Sequence, residues 1–336
     1  MSNHKSLKRI IRRCIEEIDS TRRIAKETSV KEGLKTFQAK IDIQIMNHNG
    51  YYENESRKQH LLKKHDIMIR YYEKTFRKFL ETYDFSHQNV EFPKSEYSDC
   101  IWICWWQGLK QAPDIVKVCI DSIKRNAGDH RVIVLTEENY QQYVNIPQWI
   151  QEKHKAGIIT KTHYSDILRL MLLSTHGGMW LDSTFYCTAP VLDEYFKYPL
   201  WSIKRPDYFH ASVAAGYFAN YSLACDEDHR WIFKTILDFV LEFWKNNDIM
   251  TDYLFLDYLI VLAQKYDVRI KKVFEQIISN NPNCDELFKV LEKPYDQLHW
   301  KKIQENTYLF KLTWKKSFST KEGITTFYDE LINDRL

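Results

Sequence analysis

Asp182 is the residue whose position most clearly predicts chemistry. It directly follows the apolar triplet Met179-Trp180-Leu181, which follows Gly177-Gly178 in a chain that holds only nine glycines. A short apolar run after glycine predicts a strand, and ligands of open α/β sheets bind beyond the carboxyl ends of the strands. A carboxylate there can hold a divalent cation that neutralises a diphosphate, and the glycines permit a tight reversal. In the alternative interpretation, Asp182 only caps the strand and the glycines only end a helix.

A second polar pair precedes this segment. The run from Ser165 to Thr175 has helical apolar spacing, so we predict a helix that opens at Ser165 and ends at the glycine pair. Asp166 and Arg169 are three residues apart, and both project from one face of the first turn. In a sugar pocket, the carboxylate accepts from hydroxyls and the guanidinium donates to hydroxyls or phosphate. A serine cap followed by a local ion pair explains the same residues without a ligand.

Other side chains that can do chemistry lie outside this segment. Asp252 and Asp257 fall in a segment predicted to be helical, where a carboxylate faces either a reacting carbon or solvent. The late segment YLFKLTWKK suits a diphosphate clamp, with an amphipathic edge strand as the alternative. Its candidate residues are Lys311, Thr313 and Lys315. His163 is interpreted as a packing or capping histidine rather than a ligand.

The elements expected around these residues define an α/β protein. The aromatic run CIWICWW (100–106) and residues 131–135 predict buried strands, with a helix over 113–126 between them. Strand, helix and strand in succession predict a βαβ unit, and therefore a parallel sheet with helices on its faces. Further predictions are helices over 1–90, a linker over 84–98, a short helix over 137–144, a helical region over 227–290 and a strand or loop over 308–315.

Composition and charge restrict the class of protein. Seven irregularly spaced cysteines, with Cys100-x3-Cys104 lacking a second pair, predict reduced thiols and no zinc site. No run reaches the ~18 apolar residues of a transmembrane helix, and no signal peptide is evident, so we expect a cytoplasmic protein. Residues 1–95 hold 20 Lys and Arg against 13 Asp and Glu. We interpret this region as a solvated helical subdomain, or as a membrane or partner contact through residues 6–18. No motif supports nucleic-acid binding.

Three sequence blocks in this order, IWICWWQG, SDILR and GGMWLDST, resemble the capsular polysaccharide synthesis glycosyltransferases. They also resemble the wider GT-A group with a DxD motif, which includes yeast-type α-mannosyltransferases and large glucosylating bacterial toxins. The resemblance covers residues 100–190 best. It implies a GT-A fold, which is a Rossmann-like mixed sheet with flanking helices, and a nucleotide-sugar donor.

The resemblance also implies roles for individual residues. Trp106 would stack on the uracil of the donor, and Trp105 would lie in the core because neighbours on a strand point to opposite faces. Asp182 would be the first residue of the DxD motif. The expected donor-binding residues are Trp106, Gln107, Asp166, Arg169, Asp182, Ser183, Lys311, Thr313 and Lys315. The expected catalytic residues are Asp166, Arg169, Asp182 and Asp257.

The motif departs from the family pattern at its second carboxylate, because residues 182–184 are Asp-Ser-Thr. Thr184 is neutral and therefore a poorer ligand than Asp for a hard cation. We expect Mn²⁺ or Mg²⁺ at Asp182 and Thr184, with water and diphosphate oxygens completing the shell. In the alternative, a Lys or Arg supplies part of the charge of the cation.

The resemblance implies a retaining transferase that moves galactose or glucose from a UDP-sugar to a lipid-linked oligosaccharide at the inner face of the membrane. No nucleophile for a double displacement is evident, which favours front-face attack with electrostatic stabilisation of the leaving diphosphate. The alternatives are a toxin-like transferase that modifies protein and a sugar-nucleotide-binding or polysaccharide-binding homologue without catalysis. We expect a helical region over 1–95 and a transferase domain over 96–336. The nucleotide-sugar half of that domain spans 96–190, and the acceptor half with a closing segment spans 191–336.

Overall fold

The computed structural model describes residues 2–48, 50, 52–87, 90–206, 209–318 and 323–336, with the backbone alone for 2–14. The helices of these residues are α1 (Ser2–Glu27), α2 (Val30–His48), α3 (Glu55–Thr75), α4 (Arg77–Thr82), α5 (Asp114–Arg125), α6 (Gln148–Lys155), α7 (Lys161–Thr175), α8 (Leu192–Phe196), α9 (Arg230–Asn246), α10 (Phe255–Tyr266), α11 (Val268–Glu275), α12 (Glu286–Val290), α13 (Gln297–Ile303) and α14 (Phe327–Ile332). The strands are β1 (Ile101–Cys104), β2 (Val132–Leu135), β3 (Gly178–Leu181), β4 (Phe185–Cys187), β5 (Leu200–Ser202), β6 (Ser222–Cys225) and β7 (Leu309–Lys311).

A mixed five-stranded sheet organises the chain, with strand order β2-β1-β3-β6-β5. β1 runs parallel to β2 and to β3, whereas β6 runs antiparallel to β3 and to β5. β4 and β7 form a separate antiparallel pair. The α/β class and the predicted β1-α5-β2 unit are therefore confirmed. Because β1, β2 and β3 are parallel, their carboxyl ends meet at one edge of the sheet, and the chain continues from β3 into Asp182 there.

Alternate residues of the central strands belong to two core clusters, as the two-residue period of a strand requires. Trp102 and Trp180 lie in the larger cluster, together with apolar residues of α3, α7, α9 and α10. Ile103 and Met179 lie in the other cluster, together with residues of α5, α12, α13 and α14. Helices therefore cover both faces of the sheet, as predicted. The six cysteines whose side chains are described are all free.

The glycine pair makes the turn from α7 into β3 possible. Gly177 and Gly178 have φ values of +80° and +82°, which side chains rarely tolerate. A Cβ atom on Gly178 would lie 2.4 Å from the carbonyl oxygen of Cys100 at the start of β1. That same oxygen accepts a hydrogen bond from the Met179 amide at 2.9 Å. The glycines are therefore required for the close approach of two backbones as well as for the reversal.

The start of α7 corrects one prediction, because the helix begins at Lys161 and not at Ser165. Thr160 is its N-cap, and the Thr160 side chain accepts a hydrogen bond from the amide of His163. The Ser165 hydroxyl instead donates to the carbonyl of Lys161 inside the helix. Asp166 and Arg169 consequently lie beyond the first turn, and they project from a region of the helix that is already rigid.

Other predicted boundaries also change. The strand predicted over 100–106 covers only β1, and the short helix predicted over 137–144 is a 3₁₀ turn at Tyr140–Gln142. The region 227–290 consists of α9 to α12 with breaks between them, and β7 is the strand of the late segment. The predicted linker is held against the fold, because the buried Arg230 donates to the carbonyls of Phe92 and Pro93.

The N-terminal helices converge on the loop that precedes α10. The Ser20 hydroxyl and the Lys40 ammonium both donate to the carbonyl oxygen of Thr251, at 2.5 and 2.9 Å. Lys64 forms an ion pair with Asp252 at 2.9 Å, and both side chains are buried. Burial raises the pKa of Asp252, but Lys64 and Lys40 hold it below its usual value. The first helices therefore determine the position at which α10 begins.

α1 and α3 contribute residues to the larger core cluster, which also contains residues of the sheet. The domain boundary that we expect at residue 95 stays a prediction. The side chains of residues 6–14, within the contact segment proposed over 6–18, lie outside the described residues. Of the remainder, Ile15 and Ile18 are exposed. Among the helices that are described, none is both long enough and apolar enough to cross a membrane.

Replacement of Gly178 by alanine should strongly destabilise the protein. The left-handed backbone costs a side chain roughly 1–2 kcal/mol, and the clash with Cys100 adds about 1–3 kcal/mol. Gly108→Ala is the matched control, because Gly108 has φ +74° but open space where its Cβ would lie. Denaturant unfolding of both variants should show the larger loss for Gly178→Ala. Equal losses would contradict a requirement for close backbone approach.

Candidate active site

Asp182 is held in place at the carboxyl end of β3 by two donors on one oxygen. Its Oδ1 accepts from Arg169 Nη2 at 3.2 Å and from Trp180 Nε1 at 3.1 Å. The guanidinium of Arg169 lies over the Trp180 ring, 4.9 Å from its centroid, and is further stabilised by the electrons of the ring. The Asp182 amide donates to the carbonyl of Tyr221, which anchors the backbone. The carboxylate therefore has a fixed orientation.

Asp166 occupies the other side of the same guanidinium. Its Oδ1 lies 3.1 Å from Arg169 Nη1, and its Oδ2 lies 3.1 Å from His163 Nδ1. Trp244 donates its indole N–H to His163 Nε2 at 2.7 Å. An indole nitrogen can only donate, so Nε2 of the neutral imidazole accepts and the ring proton lies on Nδ1, facing Asp166. His163 thus supports Asp166 from within the core, as expected of a packing histidine.

Arg169 has hydrogen-bonding capacity that the protein does not use. Its side chain is almost entirely buried, with 4% of the residue exposed. Among the described residues, neither Nε nor Nη1 of Arg169 has a hydrogen-bond partner, although Nη1 is close to Asp166. Buried donors are nearly always paired in folded proteins. The two carboxylates therefore hold the guanidinium of Arg169 as a buried positive charge beside Asp182.

Lys311 brings a second cation to Asp182. Its Nζ donates to Thr184 Oγ1 at 2.6 Å and lies 3.6 Å from Asp182 Oδ2. The register of the second sheet sets this position, because Lys311 pairs with Phe185, the residue after Thr184. The rings of Phe185 and Tyr221 lie 5.7 and 5.5 Å from the ammonium. Residues 182–184 therefore lie directly beside the positive charge of Lys311.

The expected metal ligands do not fit a divalent cation. Asp182 and Thr184 supply one carboxylate and one hydroxyl, and the Lys311 ammonium contacts both residues. Hard divalent cations prefer several oxygen ligands and carboxylates above all. In the part of the chain that the structure describes, no three His, Cys, Asp or Glu side chains cluster in a way that could hold a metal ion. The lysine occupies the place where a bridging cation would contact the motif.

Asp257 is a buried carboxyl group close to this cluster. It lies in the first turn of α10 with 6% of the residue exposed, and its Oδ2 accepts from Asn220 Nδ2 at 2.7 Å. Burial and the nearby charge of Asp166 raise the pKa of Asp257 to about 7. The neighbouring Tyr253 is exposed, and its hydroxyl lies near the carboxylates of Asp166, Asp182 and Asp257. Asp252, in contrast, belongs to the buried ion pair with Lys64.

The burial of the two tryptophans after β1 is the reverse of the prediction. Trp106 is buried, and its indole N–H donates to Ser165 Oγ at 2.7 Å. Trp105 is only half-buried and packs edge-on against the exposed Trp314, with ring centroids 5.4 Å apart. β1 ends at Cys104, so the strand alternation used for the prediction does not extend to these residues. The Trp105 indole N–H is buried without a partner among the described residues.

The sequence of this chain matches the family model described as capsular polysaccharide synthesis protein over residues 48–331. The chain belongs to the capsular polysaccharide synthesis family. The match extends well beyond the segment 100–190, on which the resemblance was strongest. A search of curated proteins and a search of solved structures each returned no match.

The structure brings together only some of the residues that were predicted to bind the donor or to act in catalysis. Asp166, Arg169, Asp182, Thr184 and Lys311 form one contiguous cluster. Gln107 and Lys315 are exposed, Ser183 is half-buried, and the Thr313 hydroxyl accepts from the Lys315 amide. In the described part of the chain, none of these four forms a hydrogen bond or an ion pair with the cluster, and their donor-binding roles stay predictions.

The sequence-based interpretation missed Asn220, Tyr253, Trp180 and Trp314. The indole of Trp180 was interpreted only as a strand residue, although its N–H reaches the carboxylate two positions later. Asn220 and Tyr253 come from distant segments that carry no motif. Only the structure identifies them, through the hydrogen bond of Asn220 to Asp257 and the position of Tyr253 near the carboxylates.

Replacement of Asp257 by asparagine should change how stability depends on pH. The pKa of Asp257 is about 7 in the fold, against 3.8 for an ordinary aspartate. Between these values the folded protein keeps a proton that the unfolded chain releases, so stability falls as the pH rises from about 4 to about 7. Asparagine does not titrate, so the variant avoids this loss of stability, which amounts to roughly 4 kcal/mol at most.

Thermal unfolding of both proteins between pH 4.5 and 8 tests this expectation. The Tm of Asp257→Asn relative to wild type should rise from pH 4.5 to about pH 7 and level off above it. The control Asp121→Asn, on the exposed face of α5, should show a constant difference from wild type. A constant difference for Asp257→Asn as well would contradict a protonated buried carboxyl.

Proposed function

We propose that the chain is a glycosyltransferase that moves a hexose, galactose or glucose, from a UDP-sugar to an acceptor in capsular or surface polysaccharide synthesis. One observation carries the proposal. The buried Arg169 is fixed by Asp166 and Asp182 at the carboxyl ends of β1 and β3, and among the described residues its Nε and Nη1 have no hydrogen-bond partner. Membership of the capsular polysaccharide synthesis family supports the same activity. A GT-A fold is part of the proposal.

The cluster supplies distinct contacts for each part of a donor. The carboxylate of Asp166 accepts from hydroxyls of the hexose, and Arg169 donates to a hydroxyl or to a phosphate oxygen. Lys311 faces the diphosphate across Asp182. We place the uracil against Trp105 and Trp314 rather than Trp106, because these two rings have exposed surface at the end of β1.

The proposed reaction retains the anomeric configuration. The bond between the anomeric carbon and the diphosphate oxygen breaks, and its electron pair leaves with the diphosphate. An acceptor hydroxyl attacks from the same face, and its proton moves to the leaving phosphate oxygen. We propose that Asp257, which is neutral below about pH 7, donates a hydrogen bond to the transferred sugar or to the acceptor. Electrostatic stabilisation of the leaving group supplies most of the rate enhancement.

The proposed acceptor is a lipid-linked oligosaccharide at a membrane surface. The excess of Lys and Arg in residues 1–95 supports contact with anionic lipid. The exposed Ile15 and Ile18 on α1 are suitable for shallow insertion. The same donor-site residues would serve a transferase that modifies protein, so the acceptor requires a direct test.

Hydrolysis of the donor tests the activity. Purified protein incubated with a panel of UDP- and GDP-sugars should release UDP from UDP-galactose or UDP-glucose. Asp182→Asn should abolish release and Asp166→Ala should lower it severely, on the order of 10²-fold or more. Asp121→Asn, far from the cluster, should keep the wild-type rate.

Three outcomes would change the assignment. Near-wild-type release in Asp182→Asn or Asp166→Ala would contradict the site. Binding of UDP-sugars by calorimetry, without release and without transfer to extracted acceptors, would favour a binding protein over an enzyme. Absence of both binding and release on the whole panel would refute the sugar-nucleotide proposal.

The acceptor is tested by following the label. Membranes from the source cells incubated with purified protein and radiolabelled UDP-hexose should yield label in the organic extract that contains lipid-linked oligosaccharides. Asp182→Asn protein serves as the blank. Label that remains with protein after extraction and is removed by protease would support the toxin-like alternative instead.

A further inference from the structure

We infer that Lys311, together with Arg169, takes the place of a divalent cation at the Asp-Ser-Thr motif, so that transfer by this chain requires no metal. The inference rests on the proposed function, because it concerns the charge that faces the leaving diphosphate. It departs from the expectation of Mn²⁺ or Mg²⁺ at Asp182 and Thr184. The argument depends on positions of charged atoms and not on the shift of any pKa.

The first observation is the position of the ammonium. Lys311 Nζ lies 2.6 Å from Thr184 Oγ1 and 3.6 Å from Asp182 Oδ2. These are the first and third residues of the motif, the two that would share a cation. A divalent ion bound by the same two residues would lie close to the ammonium, and the two positive charges would repel each other. One site cannot hold both charges without displacing the lysine.

The second observation is that the lysine is built into the motif. Thr184 leads directly into β4, and Lys311 ends β7, its antiparallel partner. The Leu312 amide donates to the Thr184 carbonyl at 2.9 Å, so the backbones of the two segments are joined beside the ammonium. The rings of Phe185 and Tyr221 flank the charge. The pairing of the two backbones keeps the base of the Lys311 side chain beside the motif.

The third observation concerns Asp182 itself. Its Oδ1 already accepts from Arg169 and Trp180, and its Oδ2 faces Lys311. Both oxygens are therefore directed at protein donors, and the two cations neutralise the carboxylate. No second carboxylate follows within the motif, where a hydroxyl stands in its place. The neutral hydroxyl of Thr184 is suited to Lys311, because an ammonium needs only a hydrogen-bond acceptor at this position. A divalent cation would need a charged ligand there.

The chemistry is complete without a metal. When the bond from the anomeric carbon breaks, its electron pair remains on the phosphate oxygen, and negative charge grows on the diphosphate. The positive charges of Lys311 and Arg169, both beside Asp182, stabilise that charge. The acceptor oxygen forms the new bond, and its proton passes to the diphosphate. No further reactant is required.

The test compares turnover and metal binding in the same protein. Wild type should release UDP from its donor at the same rate in EDTA and in Mn²⁺. Electron paramagnetic resonance should show Mn²⁺ free in solution at micromolar protein. Lys311→Met should lose on the order of 10²–10³-fold in kcat. Lys316→Met, an exposed lysine five residues away that pairs with Glu292, should keep the wild-type rate.

A gain of function provides the sharper result. Thr184→Asp combined with Lys311→Thr removes the ammonium and adds the second carboxylate, so this double variant should bind Mn²⁺ by resonance and release UDP only when Mn²⁺ is present. Thr184→Asp alone, which keeps the lysine, should bind Mn²⁺ more weakly than the double variant. Equal Mn²⁺ binding by the single and double variants would contradict exclusion of metal by Lys311.

The outcomes that overturn the inference differ from those that overturn the proposed function. Wild-type turnover that EDTA abolishes and Mn²⁺ restores would refute the inference and leave the transferase assignment intact. Tight Mn²⁺ binding by wild type, lost in Asp182→Asn, would refute it even without turnover. Absence of sugar-nucleotide binding in either condition would instead refute the proposed function.

Discussion

The buried guanidinium of Arg169, shared by Asp166 and Asp182, is the interaction on which the other features of the site depend. A buried charge costs several kcal/mol unless opposite charges and hydrogen bonds compensate it. Here one carboxylate comes from the same helix, the other comes from the end of β3, and the face of Trp180 covers the plane of the cation. The helix and the strand must therefore remain at a fixed separation, and the turn between them has to be short.

Two other parts of the fold support this arrangement, namely the glycine pair before β3 and the loop before α10. The glycine pair lets the chain reverse within two residues while β3 lies against β1, so that Asp182 emerges next to the helix that carries Arg169. On the other side, the ion pair of Lys64 and Asp252 connects the N-terminal helices to the loop before α10. That loop positions Asp257, and the N-terminal helices thereby contribute to a site that they do not line.

Much of this arrangement could be predicted from local patterns. The βαβ unit, the helix before the glycine pair and the location of Asp182 after a strand all follow from apolar periodicity and from the conformational freedom of glycine. The family was also recognisable from three short blocks in the right order, and the match over residues 48–331 confirms it. These features depend on residues that are close in sequence, where spacing determines geometry.

The wrong predictions concern the ends of elements and contacts between residues far apart in sequence, which the spacing of apolar residues does not determine. The burial of Trp105 and Trp106 was inverted because the strand ends two residues earlier than the apolar run. The start of α7 was misplaced because Thr160 caps the helix one turn before Ser165. The contact of Lys311 with Thr184 depends on pairing between strands that are more than 120 residues apart. Apolar patterns identify strands, but they do not show which polar residues meet across them.

The measurement that tests the central claim most directly is a crystal structure of the protein with UDP, grown once in EDTA and once in Mn²⁺. The account predicts UDP at the carboxyl ends of β1 and β3 in both crystals, with diphosphate oxygens within hydrogen-bond distance of Lys311 and no anomalous signal of manganese at Asp182. UDP bound away from Arg169 and Asp182 would contradict the assignment of the site. A manganese ion between Asp182 and the diphosphate, with Lys311 displaced, would contradict the role given to the lysine.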